Sequence, residues 1–419
     1  MIEKIKVNLN FSSDSMFWVM FGALFSAFVT IIGFRVTGEF SGAEGFGNGV
    51  LRYGIILLLA GLFAGPTSQA LGKYYFDESS FEKRTELLSA SLQLVLIQVI
   101  IAEIIVTFCY LAGKVNGVIY FSSYCVALLF ESLRPICSAW LQSERRFFYY
   151  AVGLIFDALL RPVLAWGFSH LGLISTELIL ASYATSSVLS VGLMLLLIAK
   201  KTDILHIKIE QILKLIKYGY PLITNSLLGW IVSAGDRYVI AAALGAEASG
   251  IYIAASAIGG RIPLMLGNVF ETYHRPQIYE ALASKSFEKL RSRSKKWLID
   301  ILRFGLMISV AIFFFMPIIE KYLLASEFRA GAKIIIMISF FAYLISAICF
   351  IPQRILYALE KTGLVSTVEF SGLLFMGVTV YFCGLVFGLN GAAMGLLLAF
   401  TMRLIVSIAL AKRALGPSI

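Results

Sequence analysis

Long apolar runs alternate with short polar segments along the whole chain of 419 residues. Each run can supply one helical crossing of a membrane, which needs roughly 20 apolar residues. A helix also satisfies its own backbone hydrogen bonds, so it needs no water in the hydrocarbon. The pattern predicts twelve transmembrane helices, at about 15–36, 47–73, 87–111, 117–141, 147–169, 176–199, 217–244, 248–273, 297–323, 331–357, 363–387 and 391–411.

The amino-acid composition agrees with this prediction. Hydrophobic residues make up 59% of the chain and charged residues 14%, against about 45–50% and about 25% in soluble domains. No soluble fold of this length can bury such a surplus, so the sequence predicts an all-α integral membrane protein. The three histidines are scattered and the five cysteines lie in apolar segments without a CxxC spacing. We therefore expect neither a metal site nor a cofactor.

The basic residues indicate how the chain is oriented. With the N-terminus in the cytoplasm, most Lys and Arg outside the helices fall in cytoplasmic segments. Only five fall on the other side: Arg35, Lys114, Lys321, Arg329 and Lys333. This asymmetry predicts that both termini are cytoplasmic. It also accounts for the net charge of +10 better than nucleic-acid binding does, because the charge is spread over many short loops.

Two short sequences occur twice. Gly-Ala-Glu stands at 42–44 and at 245–247, and Ser-Phe-Glu-Lys stands at 80–83 and at 286–289. The nearly equal offsets indicate a duplicated six-helix unit. We expect two pseudo-symmetric six-helix bundles, an N-terminal lobe at 1–199 and a C-terminal lobe at 217–419. Parallel repeats of this kind place a substrate path between the two halves.

Two cytoplasmic segments are longer than the others. Residues 200–216 form a predicted amphipathic linker between the lobes, and residues 274–296 carry seven basic side chains. Both can be helices that lie on the anionic inner leaflet, with membrane lipids as partners. They can equally be charged connectors that only establish the topology.

Ionisable residues within the predicted spans are costly unless they have a partner or a wet cavity. Three acid–base pairs have the spacing that places both charges on one helical face: Glu131 with Arg134, Asp157 with Arg161, and Asp300 with Arg303. Each pair either locks helices together or takes part in function. Asp236 and Arg237 are adjacent, so they point in different directions.

Four further arginines have no local acidic partner: Arg52, Arg261, Arg354 and Arg403. Arg354 and Arg52 lie near the two membrane faces and can extend their charged groups to the interface. Every lysine falls in a loop or at a helix end, whereas every deeply placed cation is an arginine. Since a guanidinium keeps its charge and binds phosphate oxygens in a bidentate manner, this pattern favours an anionic cargo that carries phosphate.

The stretch from Tyr218 to Tyr279 carries a set of recognisable motifs. They are Tyr218-Gly219-x-Pro221, Asp236-Arg237-Tyr238, Leu244-Gly245-Ala246-Glu247 leading to Gly250-Ile251-Tyr252, and Pro276. In the first half, residues 141–146 read LQSERR. These motifs resemble the polysaccharide-biosynthesis (O-antigen type) flippases of the multidrug/oligosaccharidyl-lipid/polysaccharide (MOP) exporter superfamily, whose fold is MATE-like. With the helix count, the resemblance extends over nearly the whole chain.

The resemblance implies a function. Such flippases move an undecaprenyl-diphosphate-linked oligosaccharide from the cytoplasmic to the periplasmic leaflet of the bacterial inner membrane, for lipopolysaccharide, capsule or exopolysaccharide synthesis. It also implies a polysaccharide polymerase and chain-length machinery as partners, and no nucleic acid.

The candidate residues follow from that function and from the charge pattern. Those expected to bind substrate are Arg261, Arg403, Arg52 and Arg354. Those expected to act in gating or coupling are Asp236, Arg237, Glu103, Asp157 and Arg161. Those expected to form structural pairs are Glu131, Arg134, Asp300 and Arg303.

Two other functions stay open. A MATE-like exporter of small cationic molecules would rely on an acidic cavity, which the arginines without local partners disfavour. A membrane-embedded glycosyltransferase or polymerase usually needs a sizeable periplasmic loop with polar catalytic residues. The longest outer connectors are about ten residues, as at 37–46, and they hold no catalytic arrangement. We therefore expect a transporter rather than an enzyme.

If Arg261 and Arg403 contact the cargo, Arg261→Ala and Arg403→Ala should each abolish surface polysaccharide while leaving the protein in the membrane. Extracted polysaccharide and membrane immunoblots measure the two quantities. Normal polymer in either variant would remove that arginine from the cargo site.

Overall fold

The computed structural model describes residues 16–78, 80–111, 117–198, 209–284, 286–359 and 361–415. Within these ranges the chain forms eleven α-helices and two short 3₁₀ turns, at Tyr220–Leu222 and Ser326–Phe328. The helices are α1 Met16–Asp77, α2 Phe81–Leu111, α3 Val118–Ser143, α4 Phe147–His170, α5 Ser175–Ile198, α6 Ile209–Gly219, α7 Ile223–Leu244, α8 Ala246–Ala283, α9 Phe287–Leu323, α10 Ala332–Ala358 and α11 Thr362–Leu415.

Ten of the described helices, all except α6, are long and apolar enough to cross a membrane. α1 and α11 are each interrupted by a glycine with non-helical backbone angles, Gly42 and Gly388. α1 has 62 residues, about 93 Å of helix at 1.5 Å per residue, or three times the hydrocarbon thickness. Each interrupted helix therefore supplies two spans. The predicted all-α architecture with about twelve spans is confirmed, and the chain is a multi-pass membrane protein.

Glycines with left-handed backbone angles mark every second connection between spans. Six glycines of the described residues have φ between +63° and +94°: Gly42, Gly117, Gly172, Gly245, Gly331 and Gly388. Three belong to each half of the chain, at matching connections. These are the connections predicted on the outer side, and glycine adopts such angles without the steric cost of a Cβ atom.

The second repeated sequence also has the same local structure in both copies. Ser80 and Ser286 precede α2 and α9, and each hydroxyl accepts a hydrogen bond from the backbone N–H three residues later, at 3.2 Å and 3.4 Å. A serine in this position satisfies one of the free N–H groups of a helix start. The two copies of Ser-Phe-Glu-Lys thus begin equivalent helices.

The chain divides into two compact units. The first comprises Met1–Phe40 and Arg52–Leu227, and the second comprises Ser41–Leu51 and Leu228–Ile419. The lobe boundaries at 199 and 217 stay predictions. Of the predicted linker, residues 200–208 lie outside the described residues, and the remainder belongs to α6.

In the first unit, α5 packs against α3 and α4, while α2 packs against α3 and α6. Helix α6 has two apolar sides. Leu215 is buried against the unit and Lys214 Nζ lies 2.8 Å from Glu78 Oε1. Ile209 and Leu213, one turn apart, are exposed. This geometry suits a helix that is attached to the bundle and rests on the membrane surface.

In the second unit, α10 packs against α8, α9 and α11. A second close contact joins the start of α8 to residues 41–51 of α1. A Cβ atom on Gly47 would collide with the carbonyl oxygen of Ala246, and one on Gly250 would collide with the carbonyl oxygen of Ala43. The contact is reciprocal, because the alanine of each Gly-Ala-Glu copy meets the glycine that follows the other copy. The two backbones can touch because glycine has no side chain.

Replacement of these glycines should weaken the crossing. Gly47→Ala and Gly250→Ala are each expected to lower the free energy of unfolding by about 1–3 kcal/mol, the usual cost of overpacking. Gly61→Ala in α1 is the matched control, because its Cβ atom would meet nothing within 4 Å. It should be neutral or stabilising, since alanine favours a helix. Thermal unfolding in detergent measures all three, and equal Tm values would contradict the close contact.

Candidate functional site

Four ionisable side chains meet inside the first unit: Glu131 and Arg134 of α3, and Asp157 and Arg161 of α4. Arg134 Nη2 lies 2.9 Å from Glu131 Oε1 and 3.0 Å from Asp157 Oδ1. Arg161 Nη2 lies 2.8 Å from Asp157 Oδ2 and 3.6 Å from Glu131 Oε1. The two pairs that the spacing indicates therefore form one cluster, here called the four-charge cluster.

Hydroxyl groups from other helices complete this cluster. Tyr53 of α1 and Ser187 of α5 both donate to Glu131 Oε1. Ser186 donates to Asp157 Oδ1 at 2.7 Å. Arg161 also lies over the ring of Tyr183, 4.7 Å from its centroid. Since hydrogen bonds to a charged group are the strong ones, this shell offsets much of the cost of removing the carboxylates from water.

The four-charge cluster holds two guanidinium groups and two carboxylates, so it carries no net charge. Glu131 is only 4% exposed, and both arginines are already in contact with acids. In this conformation the cluster joins α1, α3, α4 and α5 and offers no free cation to an anionic ligand. The gating or coupling role of Asp157 and Arg161 stays a prediction.

In the second unit, Arg403 of α11 has an acidic partner on the other arm of the same interrupted helix. Its Nη2 lies 2.6 Å from Glu369 Oε1, and its Nη1 donates to Ser346 Oγ at 3.2 Å. Gln353 of α10 donates to the same Glu369 oxygen at 2.7 Å. The Arg403 side chain is 6% exposed, so this pair links the arms of α11 to α10. Its contact with cargo stays a prediction.

Arg354 of α10 also has a partner distant in sequence. Its Nη2 lies 2.7 Å from Glu271 Oε1 on α8, and Arg275 lies 3.3 Å from the same oxygen. The guanidinium of Arg354 lies over the ring of Tyr357, 4.9 Å from its centroid. Glu271 therefore holds two arginines where α8 and α10 meet.

Asp236 is the most buried acid among the described residues of the second unit, with 2% exposure. It accepts a hydrogen bond from Tyr252 at 2.7 Å and one from the backbone N–H of Arg237 at 2.9 Å. Across the described ranges, no Lys, Arg or His nitrogen lies within 4.0 Å of its carboxylate. Ser249 binds the carbonyl of Arg237 at 3.0 Å, so α8 holds this part of α7 through two side chains.

The remaining candidates are more accessible. Arg52 of α1 is exposed, and its guanidinium lies over the ring of Tyr120, 4.7 Å from its centroid. In the described part of the chain it has no acidic partner within 4.0 Å. Arg261 of α8, Arg237 of α7 and Glu103 of α2 are half-buried.

Asp300 and Arg303 do not form the ion pair that their spacing predicts. Asp300 Oδ2 lies 3.1 Å from Nε2 of His274, which is fully buried and stacks on Trp297. Arg303 lies on the exposed side of α9. Three residues of separation allow a pair but do not require one, and the neighbouring helix α8 supplies a closer donor.

No family model matches the chain, and no curated protein sequence matches it. Solved structures do. An inward-facing multidrug resistance MATE transporter of the MOP superfamily is 18% identical, with a TM-score of 0.67 over 94% of each chain. The inward closed form of the lipid II flippase MurJ is 15% identical, with a TM-score of 0.71 over 94% of this chain and 86% of that one. A MOP superfamily transporter from Pyrococcus furiosus, with a binding pocket of reverse polarity, is 14% identical, with a TM-score of 0.52 over 94% and 95%.

This chain has their fold. At these identities the likeness concerns the course of the backbone and leaves the chemistry of the site to the side chains.

Sequence reasoning missed several members of these sites. Tyr53 and Tyr252 belong to helices other than those of the acids that they contact. The run Ser186-Ser187 with Ser190 was a usable signal, because three hydroxyls on one apolar helix need polar partners. No local signal marks Glu369 as the partner of Arg403, since 34 residues and a chain reversal separate them.

The Arg403–Glu369 pair allows a structural role to be separated from a role in cargo binding. Arg403→Ala should destabilise the protein by about 3–5 kcal/mol, because Glu369 then loses its cationic partner. The double variant Arg403→Met with Glu369→Gln removes both charges and should recover most of the Tm. An Arg403→Ala protein as stable as wild type would contradict the structural role. A stable double variant that supports no transport would assign Arg403 to the cargo.

Proposed function

We propose that this protein is a MOP superfamily flippase that moves an undecaprenyl-diphosphate-linked oligosaccharide from the cytoplasmic to the periplasmic leaflet. The product would serve the synthesis of O-antigen, capsule or exopolysaccharide. The main support is a fold shared with a lipid II flippase over 94% of the chain, in a protein whose deeply placed cations are all arginines. It works without chemical conversion of its cargo, by alternating access.

The charges of the individual side chains favour an anionic cargo. The Pyrococcus furiosus transporter with reverse pocket polarity indicates that this fold accommodates more than one pocket charge. The fold therefore does not determine the cargo, and the residues must. Arg52 is exposed without an acidic partner in the described ranges, and Arg261 is half-buried on α8. Each of them is a candidate for contact with phosphate oxygens, because a guanidinium suits phosphate oxygens.

Arg354 and Arg403 would join the cargo site only if their acidic partners released them. Asp236 is the best placed group for gating or coupling, since it is a buried carboxylate held by a tyrosine rather than by a cation. A carboxylate in such surroundings can exchange a proton or cation when the surrounding helices move. Arg237, Asp157, Arg161 and Glu103 are secondary candidates.

The proposed setting is the bacterial inner membrane, with both termini in the cytoplasm. A polysaccharide polymerase and chain-length machinery would take over the cargo on the periplasmic side.

A MATE-like exporter of small molecules is the second candidate. The observation that favours it is the multidrug transporter with the same fold over 94% of both chains. It would be expected to bind cations at Asp236 or Glu103. The two candidates differ in the charge of the cargo.

A strain that lacks the gene separates the two functions. The flippase function predicts that the strain loses surface polysaccharide and accumulates lipid-linked oligosaccharide in the cytoplasmic leaflet. Wild-type protein should restore the polymer, and Arg52→Ala and Arg261→Ala should not. The arginine losses are expected because a missing phosphate contact costs about 1.5–3 kcal/mol.

The same strain provides the opposing outcome. Normal polysaccharide together with greater sensitivity to cationic dyes would reject the flippase and favour the exporter. Arg303→Ala is the matched control, because Arg303 is exposed on α9 and is not assigned to the cargo. Asp236→Asn tests coupling, which predicts loss of translocation with the protein still in the membrane.

A further inference from the structure

A groove of about 520 Å³ lies in the first unit, near the C-terminal ends of α1 and α3. This volume falls within the range of about 300–1,000 Å³ that is usual for small-molecule sites. The side chains that matter for its chemistry are Ser68, Gln69 and Phe76 of α1, and Ser138, Gln142 and Ser143 of α3. The groove is separate from the four-charge cluster and from every arginine assigned above.

Small residues create the space. A Cβ atom on Gly72 of α1 would meet nothing within 4 Å, and Pro135 and Ala139 line the facing part of α3. Proline also removes one backbone donor from α3, so a carbonyl of that turn lacks its usual helical hydrogen bond. The groove is thus a property of the two helices themselves.

The lining carries no ionisable side chain, although the chain has a net charge of +10. Three hydroxyls and two carboxamides provide donors and acceptors in comparable number. The ring of Phe76 is 66% exposed and adds a flat apolar face. A diphosphate would find no cation here, and an acyl chain would satisfy none of the donors and acceptors of the polar lining.

Neutral sugars match this chemistry. Their hydroxyl and acetamido groups exchange hydrogen bonds with serines and glutamines, and the C–H face of a pyranose packs on an aromatic ring. Both helix ends that carry the groove are predicted to be cytoplasmic, the side on which a lipid-linked oligosaccharide would be loaded.

We infer that this groove binds the neutral sugar part of the cargo while the lipid is loaded from the cytoplasmic side, a step separate from the contact of its diphosphate with the arginines. The inference rests on the proposed function and adds a second, uncharged subsite to it. Gln69 and Gln142, both exposed, are the residues that recognise the sugar. The diphosphate would then give affinity for any such lipid, and the groove would distinguish lipids with sugar from those without.

Binding to the full-length protein in lipid nanodiscs tests this inference. The probes are undecaprenyl diphosphate, the same lipid carrying N-acetylglucosamine, and the same lipid carrying a neutral trisaccharide. Wild type should bind the trisaccharide lipid about tenfold more tightly than the bare lipid, as expected for a few additional hydrogen bonds. The double variant Gln69→Ala with Gln142→Ala should lose this difference and keep its affinity for the bare lipid.

A second variant fills the groove without touching a polar group. Gly72→Trp places a large ring in open space and should also remove the preference for the sugar-bearing lipid. Gly167→Trp in α4 is its matched control, because a Cβ atom there likewise meets nothing within 4 Å, and it should behave as wild type. Equal Tm values for the two tryptophan variants would establish that both proteins are folded.

The outcomes separate the two proposals. Equal affinity of wild type for all three lipids, or a sugar preference that survives both groove variants, would overturn the sugar groove and leave the flippase function intact. Failure of wild type to bind any of the three lipids would overturn the flippase function. In that case saturation-transfer NMR with the free trisaccharide tests the groove, and no transfer from wild type to the trisaccharide would reject sugar binding there.

Discussion

The cost of placing a charge in hydrocarbon governs the arrangement of this protein. A guanidinium cannot lose its proton, so an arginine at membrane depth needs a carboxylate, an anionic ligand or water. In the first unit, Arg134 and Arg161 meet two acids and a shell of hydroxyls. In the second, Arg403 and Arg354 meet Glu369 and Glu271. The contacts of Arg134 with Asp157, of Arg354 with Glu271 and of Arg403 with Glu369 join separate helices or separate arms of a helix, so these charges also determine how the helices pack.

Glycine residues allow the chain to reverse direction between spans. A left-handed glycine stands at three matching connections in each half. The first copy of Gly-Ala-Glu contacts the second through Gly47 and Gly250, where backbone meets backbone. A duplicated sequence has therefore kept the same turns and, at one crossing, forms a reciprocal contact. The physical requirement is the same in both cases, namely the absence of a Cβ atom.

Function depends on which charges are left accessible. Arg134, Arg161, Arg354 and Arg403 are closed within ion pairs, whereas Arg52 is exposed on its helix. Asp236 is a buried acid whose side-chain partner is a tyrosine and not a cation. A fold common to exporters and a flippase leaves such details open, because cargo charge is set by a few side chains. The groove beside Gln69 and Gln142 carries no ionisable side chain and so differs in charge from these sites.

Properties that depend on near neighbours along the chain can be predicted from the amino-acid sequence alone. Spans follow from apolar runs, and the repeat follows from two short sequences. The contacts of Glu131 with Arg134 and of Asp157 with Arg161 follow from helical spacing, since residues three or four apart share a face. The same rule failed for Asp300, whose partner His274 lies on another helix.

Contacts between helices, in contrast, are visible only in the folded protein. Tyr53 reaches Glu131 across 78 residues, and Arg403 reaches Glu369 across a break in α11. The spacing rule identifies the residues that share a face of one helix. It does not identify the face of another helix that packs against them. That choice depends on packing, turns and the total burial of charge, and it exists only once the helices have assembled.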